Sequence, residues 1–353
     1  AVQDCEIAFL CVPTPQGDDG AADLSYVQAA SEEISTSLPF GAIVVNKSTV
    51  PVGSTKVVER SLQRPDISVV SNPEFLREGS AVHDFLHPDR VVIGSDDRQA
   101  ALKVASIYDA LSAKIIITDP ASAETIKYAA NAFLATKLSF INAIAAICEG
   151  VGADINDVVL GIGSDTRIGA NFLQPGPGWG GSCFPKDSRA LIKIAEDADY
   201  NFDLLKGVNT VNDQQFDRVT EKIRLAAGGS VSGKVVAVWG LTFKAGTDDL
   251  RDSPSLQIIQ RLLHLGAIIQ AFDPTVTSHR IGLNQEIQIA ETAVKCAQNA
   301  EVLVVLTEWS EFTKIDPSEV RAVMSGRTIV DGRNLLDRST WQEAGFTHLG
   351  IGR

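Results

Sequence analysis

Basic residues, cysteines and long apolar runs are all scarce in this sequence, and each scarcity excludes a class of protein. The 31 Lys and Arg residues against 44 Asp and Glu give a formal net charge of −13. The chain therefore lacks the basic stripe with which nucleic-acid-binding proteins neutralise phosphates. No apolar run approaches the ~20 residues of a membrane-spanning helix, so we expect no membrane segment. The start of the sequence also lacks the basic and apolar pattern of a signal peptide.

The cysteine pattern gives no sign of a metal site or of disulfide bonds. The five cysteines are odd in number, widely spaced and without a C-x-x-C pair. This pattern predicts neither a disulfide framework nor a zinc site, and it favours a reducing cytoplasm. The positions are Cys5, Cys11, Cys148, Cys183 and Cys296.

The chain of 353 residues is longer than a single core usually allows, so two or three domains are expected. Short β-rich runs alternate with helical patterns, which predicts an α/β fold. Strands are expected near residues 7–12, 42–47, 67–70, 90–94 and 114–118, and again near 234–241, 268–272, 302–306 and 328–330. We predict two Rossmann-like α/β domains, at 1–118 and 229–353, joined by a long central helix and a helical domain at 119–228.

The middle of the chain carries the strongest local signals. Asp119 and Pro120 form a plausible helix start, and no breaker follows before Gly150, which predicts one long helix. A glycine- and proline-rich cluster, QPGPGWGG at 174–181, interrupts the helical region before a further helix from about 185 to 197.

A dinucleotide-binding fingerprint is missing from the sequence. The string GIGSDT at 161–166 follows a helical pattern rather than a strand, and it ends on threonine. Gly240 does follow a strand, but Gly240-Leu241-Thr242 has no second close glycine. We therefore expect a Rossmann-like C-terminal domain without a dinucleotide site, and an N-terminal domain that lacks its glycine-rich βαβ segment.

Cys183 is the exceptional cysteine. It lies between flexible glycines and a helix start that contains Pro185, Lys186 and Asp187. The partial positive charge of a helix N-terminus and a nearby lysine both favour the thiolate over the thiol. Asp187 lies four residues further on, on the same helical face, where it could orient or deprotonate a water molecule.

Several ordered motifs together resemble the UDP-glucose/GDP-mannose dehydrogenase family. They are KSTVPVG at 47–53, NPEFLREG at 72–79, KYAANA at 127–132, GGSCFPKD at 180–187, FK at 243–244, TDDLR at 247–251 and DGR at 331–333. Residues 77–81 and 85–90 are more similar to the UDP-glucose 6-dehydrogenases of this family than to its GDP-mannose or UDP-N-acetylmannosamine enzymes. The resemblance implies an NAD-dependent oxidation of UDP-glucose to UDP-glucuronate in two hydride transfers.

In this reaction the resemblance makes Cys183 the nucleophile, which captures the aldehyde as a thiohemiacetal that is then oxidised to a thioester and hydrolysed. Lys127 and Asn131 are four residues apart on the predicted long helix, so they share one face and could donate to an oxyanion. Asp187, Glu74 and Thr49 match the residues that handle the hydrolytic water in the family.

The resemblance also implies a binding set for each ligand and a homodimer or larger assembly, because Arg167 matches an arginine offered to the substrate of a neighbouring subunit. Lys244 and Arg333 are cations at strand ends, which suits a diphosphate. The implied substrate set is Phe75, Leu76, Arg77, Lys127, Asn131, Arg167, Phe172, Leu173, Gly178, Phe243, Lys244 and Arg333. The implied NAD set is Val12, Thr14, Pro15, Ser48, Thr49, Glu78, Lys186 and Arg251.

Two alternatives remain open at this point. One is a different nucleotide-sugar dehydrogenase, of the GDP-mannose or UDP-N-acetylhexosamine type. The other is a non-catalytic UDP-sugar-binding fragment, because family members begin with a strand, a GxGxxG loop and an acidic strand end, and Ala1 enters downstream of all three.

Overall fold

The computed structural model describes residues 2–17, 22–277 and 285–353, and the chain divides into two compact units. The first unit contains residues 1–133 and 186–203, and the second contains 134–185 and 204–353. The α/β class predicted from the sequence is confirmed, since each unit contains one sheet flanked by helices. The three-part division at 118/119 and 228/229 stays a prediction.

The sheet of the first unit has five strands in chain order. Its members pair in parallel, except that β3 and β4 meet in an antiparallel bridge between Ser71 and Gly94. The strands are β1 (Ile7–Leu10), β2 (Ile43–Asn46), β3 (Ser68–Ser71), β4 (Arg90–Gly94) and β5 (Lys114–Thr118). The intervening helices are α1 (Ser25–Ser35), α2 (Ser54–Leu62), α3 (Ala81–Leu86) and α4 (Arg98–Ser106).

Residue alternation along β2 explains why this sheet is covered on both faces. Val44 packs into one apolar cluster with Val58 of α2, whereas Val45 packs into a second cluster with Val104 of α4. All four residues of β2 are buried, as expected for the middle of a mostly parallel sheet. The carboxyl ends of β1, β2 and β3 consequently lead into loops on one edge of the sheet.

The predicted long helix is present as α5 (Pro120–Val151), which has 32 residues and a length of about 48 Å. Asp119 accepts a hydrogen bond from the Ser122 amide at 2.8 Å, as a helix-capping residue does. In the described part of the chain, α5 alone is long and apolar enough to cross a membrane by length and composition, a test that the core helices of soluble proteins also pass. Charged residues interrupt its apolar pattern at Glu124, Lys127, Lys137 and Glu149, and the expectation of no membrane segment stays a prediction.

The sheet of the second unit has six parallel strands in the order β11-β10-β9-β6-β7-β8, which is the doubly wound order of a Rossmann fold. The strands are β6 (Val235–Trp239), β7 (Ile268–Phe272), β8 (Ile287–Ile289), β9 (Val302–Val305), β10 (Thr328–Asp331) and β11 (Thr347–Gly350). The remaining helices of the chain are α6 (Ile155–Gly163), α7 (Phe184–Asp197), α8 (Asp203–Ala226), α9 (Pro254–His264), α10 (Ala293–Cys296), α11 (Pro317–Val323), α12 (Arg338–Glu343) and the 3₁₀ helix Ser310–Lys314.

All nine strands expected from the sequence are found, with ends shifted by at most two residues. The strands β8 and β11 and several short helices were not expected, because elements of three to seven residues leave too little periodicity to recognise. Residues 161–163 end the helix α6, which confirms that GIGSDT is not a phosphate loop after a strand.

Candidate active site

In the first unit, the loops after β1 and β2 are joined by hydroxyl groups. The Ser48 hydroxyl accepts from the Val12 amide at 3.0 Å and donates to the Val12 carbonyl at 2.7 Å. The Thr14 hydroxyl donates to the Thr49 carbonyl at 2.9 Å. These bonds bring four residues of the NAD set predicted from the sequence into one continuous edge. The Pro15 carbonyl closes the same loop by accepting from Asp23.

The loop after β3 carries Glu74, and α5 supplies its partner. The Lys127 ammonium lies 3.0 Å from Glu74 Oε1, and the lysine side chain is 4% exposed. The Leu76 amide donates to the other carboxylate oxygen. Phe75 lies beneath two cations, with Arg90 3.6 Å and Lys127 5.3 Å from its ring centroid. Two sequence-predicted catalytic residues thus meet in an ion pair whose lysine is buried and whose glutamate is partly exposed.

One turn along α5, Asn131 contacts the start of α7. Its amide nitrogen donates to Asp187 Oδ2 at 2.6 Å, and the Lys186 ammonium lies 2.7 Å from Asp187 Oδ1. Asp187 is buried, so its carboxylate is held by these two donors. The four-residue spacing of Lys127 and Asn131 therefore aligns two adjacent polar pairs, Lys127 with Glu74 and Asn131 with Asp187, along one helix.

Two further residues of α5 belong to these surroundings and were missed by the sequence reasoning. Tyr128 is fully buried, and its hydroxyl has no hydrogen-bond partner among the residues that the structure describes. Burial, with the charges of Asp187 and Glu124, raises its pKa above the ordinary value. Glu124 accepts from the Gly53 and Thr55 amides at the start of α2, and burial raises its pKa. Polar residues on an otherwise apolar helix were the signal that could have identified them.

Cys183 belongs to the second unit, where it directly precedes α7. Its sulfur is partly exposed and lies 3.5 Å from the Ser182 hydroxyl. In contrast, Cys296 is fully buried, and burial raises the pKa of its thiol to about 12. All five cysteines are free thiols. The position before a helix N-terminus favours the thiolate form of Cys183, whereas Cys296 is inert packing.

The glycines before Cys183 are required by close packing. A Cβ at Gly180 would lie 1.8 Å from the Asp252 carbonyl oxygen, and one at Gly181 would lie 2.7 Å from the Phe243 ring. Gly178 has a φ of +124°, and a Cβ at this position would lie 2.4 Å from the Phe216 ring. The loop can therefore approach the neighbouring chain segments only without side chains.

Side chains of α5 and α8 anchor the same glycine-rich loop. Asn142 accepts from the Gly176 amide at 2.9 Å and Gln215 donates to the Gly176 carbonyl at 2.8 Å. Asn212 bonds both backbone groups of Trp179, at 2.8 and 3.0 Å. These buried amides were not predicted from the sequence, although each is a polar residue on an apolar helical face. They fix the loop that delivers Cys183.

Phe172, Phe243, Lys244 and Arg333, all of the predicted substrate set, lie in the second unit. Phe172 has a φ of +63°, an uncommon backbone conformation for a bulky residue, and its ring packs 6.3 Å from that of Phe184. Arg333 donates to the Phe243 carbonyl at 3.2 Å and lies 3.0 Å from Glu308. The second unit therefore contains a packed pair of phenylalanine rings and an arginine, Arg333, whose side chain is held by the Phe243 carbonyl and by Glu308.

The second sheet also ends in a polar network, in which protein groups bond the acidic residue at the strand end. Asp273, directly after β7, accepts from the Leu241 and Thr242 amides at 2.8 and 3.1 Å and from the Trp309 indole at 3.1 Å. A Cβ at Gly240 would lie 2.3 Å from Thr307. An acidic residue at this position normally binds the ribose of a dinucleotide; here its acceptors are occupied by the protein itself.

The remaining predicted site residues have mixed settings. Arg77 pairs with Asp84 at 2.6 Å and holds the pKa of that carboxyl well below its usual range. Arg251 pairs with Asp249 at 2.8 Å, and its carbonyl accepts from the Gly181 amide. Leu173 is buried in the apolar core of the second unit. Two others are a partly buried Glu78 and an exposed Arg167 paired with Asp165.

Comparisons with known proteins agree with these motifs. Family models described as the NAD binding, central and UDP binding domains of the UDP-glucose/GDP-mannose dehydrogenase family match residues 1–112, 121–214 and 237–338. The UDP-glucose 6-dehydrogenase of Rhizobium meliloti (strain 1021) is 44% identical over 363 residues, covering 100% of this chain and 83% of the relative. The TuaD enzyme of Bacillus subtilis (strain 168), also named a UDP-glucose 6-dehydrogenase, is 43% identical, with 100% and 78% covered.

Solved structures show the same likeness. A UDP-glucose dehydrogenase from the archaeon Pyrobaculum islandicum superposes with a TM-score of 0.90 at 35% identity, covering 100% of this chain and 81% of that one. A UDP-D-ManNAc dehydrogenase from Pyrococcus horikoshii gives a TM-score of 0.88 at 26% identity, with 100% and 82% covered. The chain belongs to the UDP-glucose/GDP-mannose dehydrogenase family.

Proposed function

We propose that the protein oxidises UDP-glucose to UDP-glucuronate with NAD as the hydride acceptor. The observation that carries this proposal is the identity of 44% with a UDP-glucose 6-dehydrogenase across the whole chain. Cys183 before α7 and the two polar pairs on α5 are the groups that such a reaction needs. The choice of UDP-glucose over other nucleotide sugars rests on the same relatives.

In the second unit, the cations at the sheet edge suit the diphosphate of the substrate. Arg333 is held by the Leu306 carbonyl at 2.8 Å and by Glu308, so its guanidinium is already oriented before a ligand arrives. Lys244 follows on the neighbouring loop, 5.6 Å from the Phe243 ring centroid. An acidic protein needs such local cations to hold an anionic ligand.

Cys183 is the covalent nucleophile in this proposal. Its thiolate adds to the aldehyde carbon that the first oxidation produces, and the carbonyl oxygen becomes the thiohemiacetal oxygen. Loss of a second hydride converts this adduct to a thioester. Attack by water at the thioester carbon then releases the carboxylate and returns the thiolate. The covalent bond retains the aldehyde between the two oxidations.

Residues of the first unit serve the charges and protons of these steps. Lys127 and Asn131 donate to the oxygen of the reacting carbon, which bears negative charge in the tetrahedral species. Glu74 and Asp187 are the carboxylates that accept a proton from the attacking water, with Thr49 as a further ligand of that water. Each carboxylate already has a donor from α5, at 3.0 and 2.6 Å.

NAD fits the edge of the first sheet by the chemistry of its donors. The Ser48 and Thr14 hydroxyls bond backbone groups of the adjoining loops, and so they shape a neutral edge that suits the carboxamide and phosphate groups of the cofactor. When bound, NAD accepts the hydride from the substrate carbon. Glu78, Lys186 and Arg251 complete the set assigned by resemblance. The second sheet does not fit a dinucleotide, because Asp273 is already saturated.

The stoichiometry of NADH formation tests this function. With excess NAD, the full chain should form two NADH per UDP-glucose consumed, because an alcohol-to-carboxylate conversion requires two hydride transfers. UDP-N-acetylglucosamine, UDP-N-acetylmannosamine and GDP-mannose are the matched controls. No UDP-glucose-dependent NADH with properly folded protein would refute the proposal, and faster oxidation of another sugar would replace the substrate.

We also propose that the protein acts as a homodimer in the cytoplasm, where its free thiols stay reduced. Phe140 and Ile147 are 53% and 57% exposed and lie seven residues apart on α5, with Val151 one further turn along. This spacing produces one apolar stripe. Arg167, which is exposed, would complete the substrate site of the second copy.

Sedimentation tests the assembly. The double substitution Phe140→Glu and Ile147→Glu should convert a dimer to a monomer, whereas Leu265→Glu, at an exposed apolar residue elsewhere in the second unit, should not. For Arg167, mixing an Arg167→Ala chain with a Cys183→Ser chain should restore part of the activity. A wild-type protein that sediments as a monomer would refute both statements.

A further inference from the structure

Lys47 is a polar residue at the edge of the first sheet, outside the proposed catalytic and ligand-binding sets. It directly follows β2 and is partly buried, and its ammonium lies 3.1 Å from Asn72 Oδ1 and 5.8 Å from the Tyr108 ring centroid. Its hydrogen-bond acceptor is the neutral Asn72 amide, whereas Glu74 acts on it through charge and without a hydrogen bond among the described residues. A partly buried cation without a direct counterion is costly, so its position requires an explanation.

Lys47 donates to the Asn72 side chain, both ends of which are hydrogen-bonded. Asn72 follows β3 and is fully buried. Its amide nitrogen donates to the Val92 carbonyl at 2.8 Å, and its amide oxygen accepts from both Lys47 and the Tyr108 hydroxyl. One amide thereby ties the ends of β2 and β3 to the middle of β4.

Asn72 is also the first residue of the loop that carries Glu74. Only Pro73 separates them, and Glu74 then binds Lys127 at 3.0 Å. Glu74 is therefore attracted by two ammonium groups, one bonded directly and one acting through Asn72 and through space. If residue 47 served only to pack against the sheet, a methionine could replace the lysine, because packing requires no charge.

The charge state of Lys47 changes near neutral pH. Burial lowers its pKa to about 8; the attraction of Glu74 and Cys11 opposes this, and repulsion by Lys127 adds to it. Tyr108, the other ionisable group against it, has a pKa raised above the ordinary value by burial. Below about pH 8 the ammonium is present, and above that pH it is lost, so the charge acts on Glu74 only on the acidic side.

We propose that Lys47 is a positioning residue of the reaction, whose ammonium group holds Asn72 and the carboxylate of Glu74 in place. The proposal rests on the proposed function, because Glu74 is assigned to water activation there. In this proposal, Lys47 at the end of β2 positions Glu74 through Asn72, and Glu74 in turn contacts the reacting water.

Two substitutions with different charge test it. Lys47→Met should lower kcat at pH 7 by about tenfold to a hundredfold while KM for UDP-glucose changes less than about threefold, because a misplaced catalytic group affects turnover more than binding. In the wild type, kcat should fall above pH 8. This fall should vanish in Lys47→Met and move to higher pH in Lys47→Arg, which keeps its charge.

Lys56→Met is the matched control, since Lys56 is an exposed lysine of α2 in the same unit, paired with Glu59 and Asp96. It should leave kcat and the pH profile unchanged. The thermal midpoint of each variant separates misfolding from mispositioning. Wild-type kcat in Lys47→Met, or an alkaline fall at the same pH in all variants, would overturn the proposal.

A second measurement does not depend on turnover, so failure of the proposed function can be told apart from failure of this inference. After reductive ¹³C-methylation of the lysines, the Lys127 resonance should shift in Lys47→Met but stay in place in Lys56→Met, because Glu74 moves relative to Lys127. An unchanged Lys127 resonance in Lys47→Met would overturn the positioning role even in an active enzyme.

Discussion

The two sheets of this protein end in loops of very different character. After β1 and β2 of the first unit, hydroxyl groups of Ser48 and Thr14 join neighbouring loops. After β6 and β7 of the second unit, Asp273 receives two backbone amides, the Thr242 hydroxyl and the Trp309 indole on a single carboxylate oxygen. The same type of sheet thus ends once in loops shaped by neutral hydroxyl groups and once around a buried carboxylate that the protein itself saturates.

The difference teaches that strand order alone does not define a cofactor site. The second sheet has the doubly wound order of a dinucleotide-binding fold, yet its strand-end acid is buried and bonded within the protein. Because Asp273 is bonded within the protein, it is not available for the hydrogen bond that a strand-end acid usually makes to the ribose of a dinucleotide. The ligand-directed groups of this unit lie instead at Lys244 and Arg333, which are cations suited to a diphosphate.

The largest expected effect concerns the thiol of the second unit. Cys183→Ser should lower the steady-state rate of UDP-glucuronate formation by on the order of a thousandfold or more, because the serine hydroxyl is not ionised near neutral pH. Binding of UDP-glucose, measured by calorimetry, should change little. Cys296→Ser is the matched control, as a buried thiol that packs in an apolar cluster and contacts the Val238 and Gln270 carbonyls. Equal rates in the Cys183 variant and the wild type would refute the nucleophile.

The next effect tests whether the closed network is structural. Asp273→Ala should lower the free energy of unfolding by about 2–4 kcal/mol, because several buried donors lose their acceptor. Unfolding can be followed by the fluorescence of Trp309, which donates to this carboxylate. We expect no gain in NAD binding. Unchanged stability, or tighter NAD binding, would show that Asp273 is not the closing residue.

Much of this contrast could be predicted from the sequence. The absence of a second glycine after Gly240 indicated a sheet without a dinucleotide site, and the residues around Cys183 indicated a helix start directly after this thiol. What could not be predicted was pairing across the chain. The buried amides Asn142 and Asn212 bond a loop more than 30 residues away, and sequence spacing does not reveal such partners.

A smaller effect is expected at the first sheet edge. Ser48→Ala should weaken NAD binding by about threefold to tenfold, because one hydrogen bond that shapes the Val12 loop is worth about 1 kcal/mol. Thr242→Ala, the corresponding hydroxyl of the second unit, should leave NAD affinity unchanged. Calorimetric titration with NAD measures both. Equal loss in the two variants would remove the distinction between the edges.

The smallest effect separates the acid stability of the first unit from its site. Arg64 lowers the pKa of Asp66 to about 2, so this carboxylate stabilises the fold above its unfolded-state pKa near 4 and loses that contribution as pH falls toward 2. Asp66→Asn should lower the melting temperature slightly at pH 7, and the difference should disappear near pH 2. A difference that grows on acidification would contradict the assignment.

Hydrogen exchange with each ligand added alone tests the contrast between the two sheet edges most directly. NAD should slow amide exchange in residues 11–14 and 47–50, after β1 and β2, and leave residues 240–244 unchanged. UDP should slow exchange in residues 240–244 and 331–336 and leave the first two segments unchanged. Protection of residues 240–244 by NAD, or of residues 47–50 by UDP alone, would contradict the account.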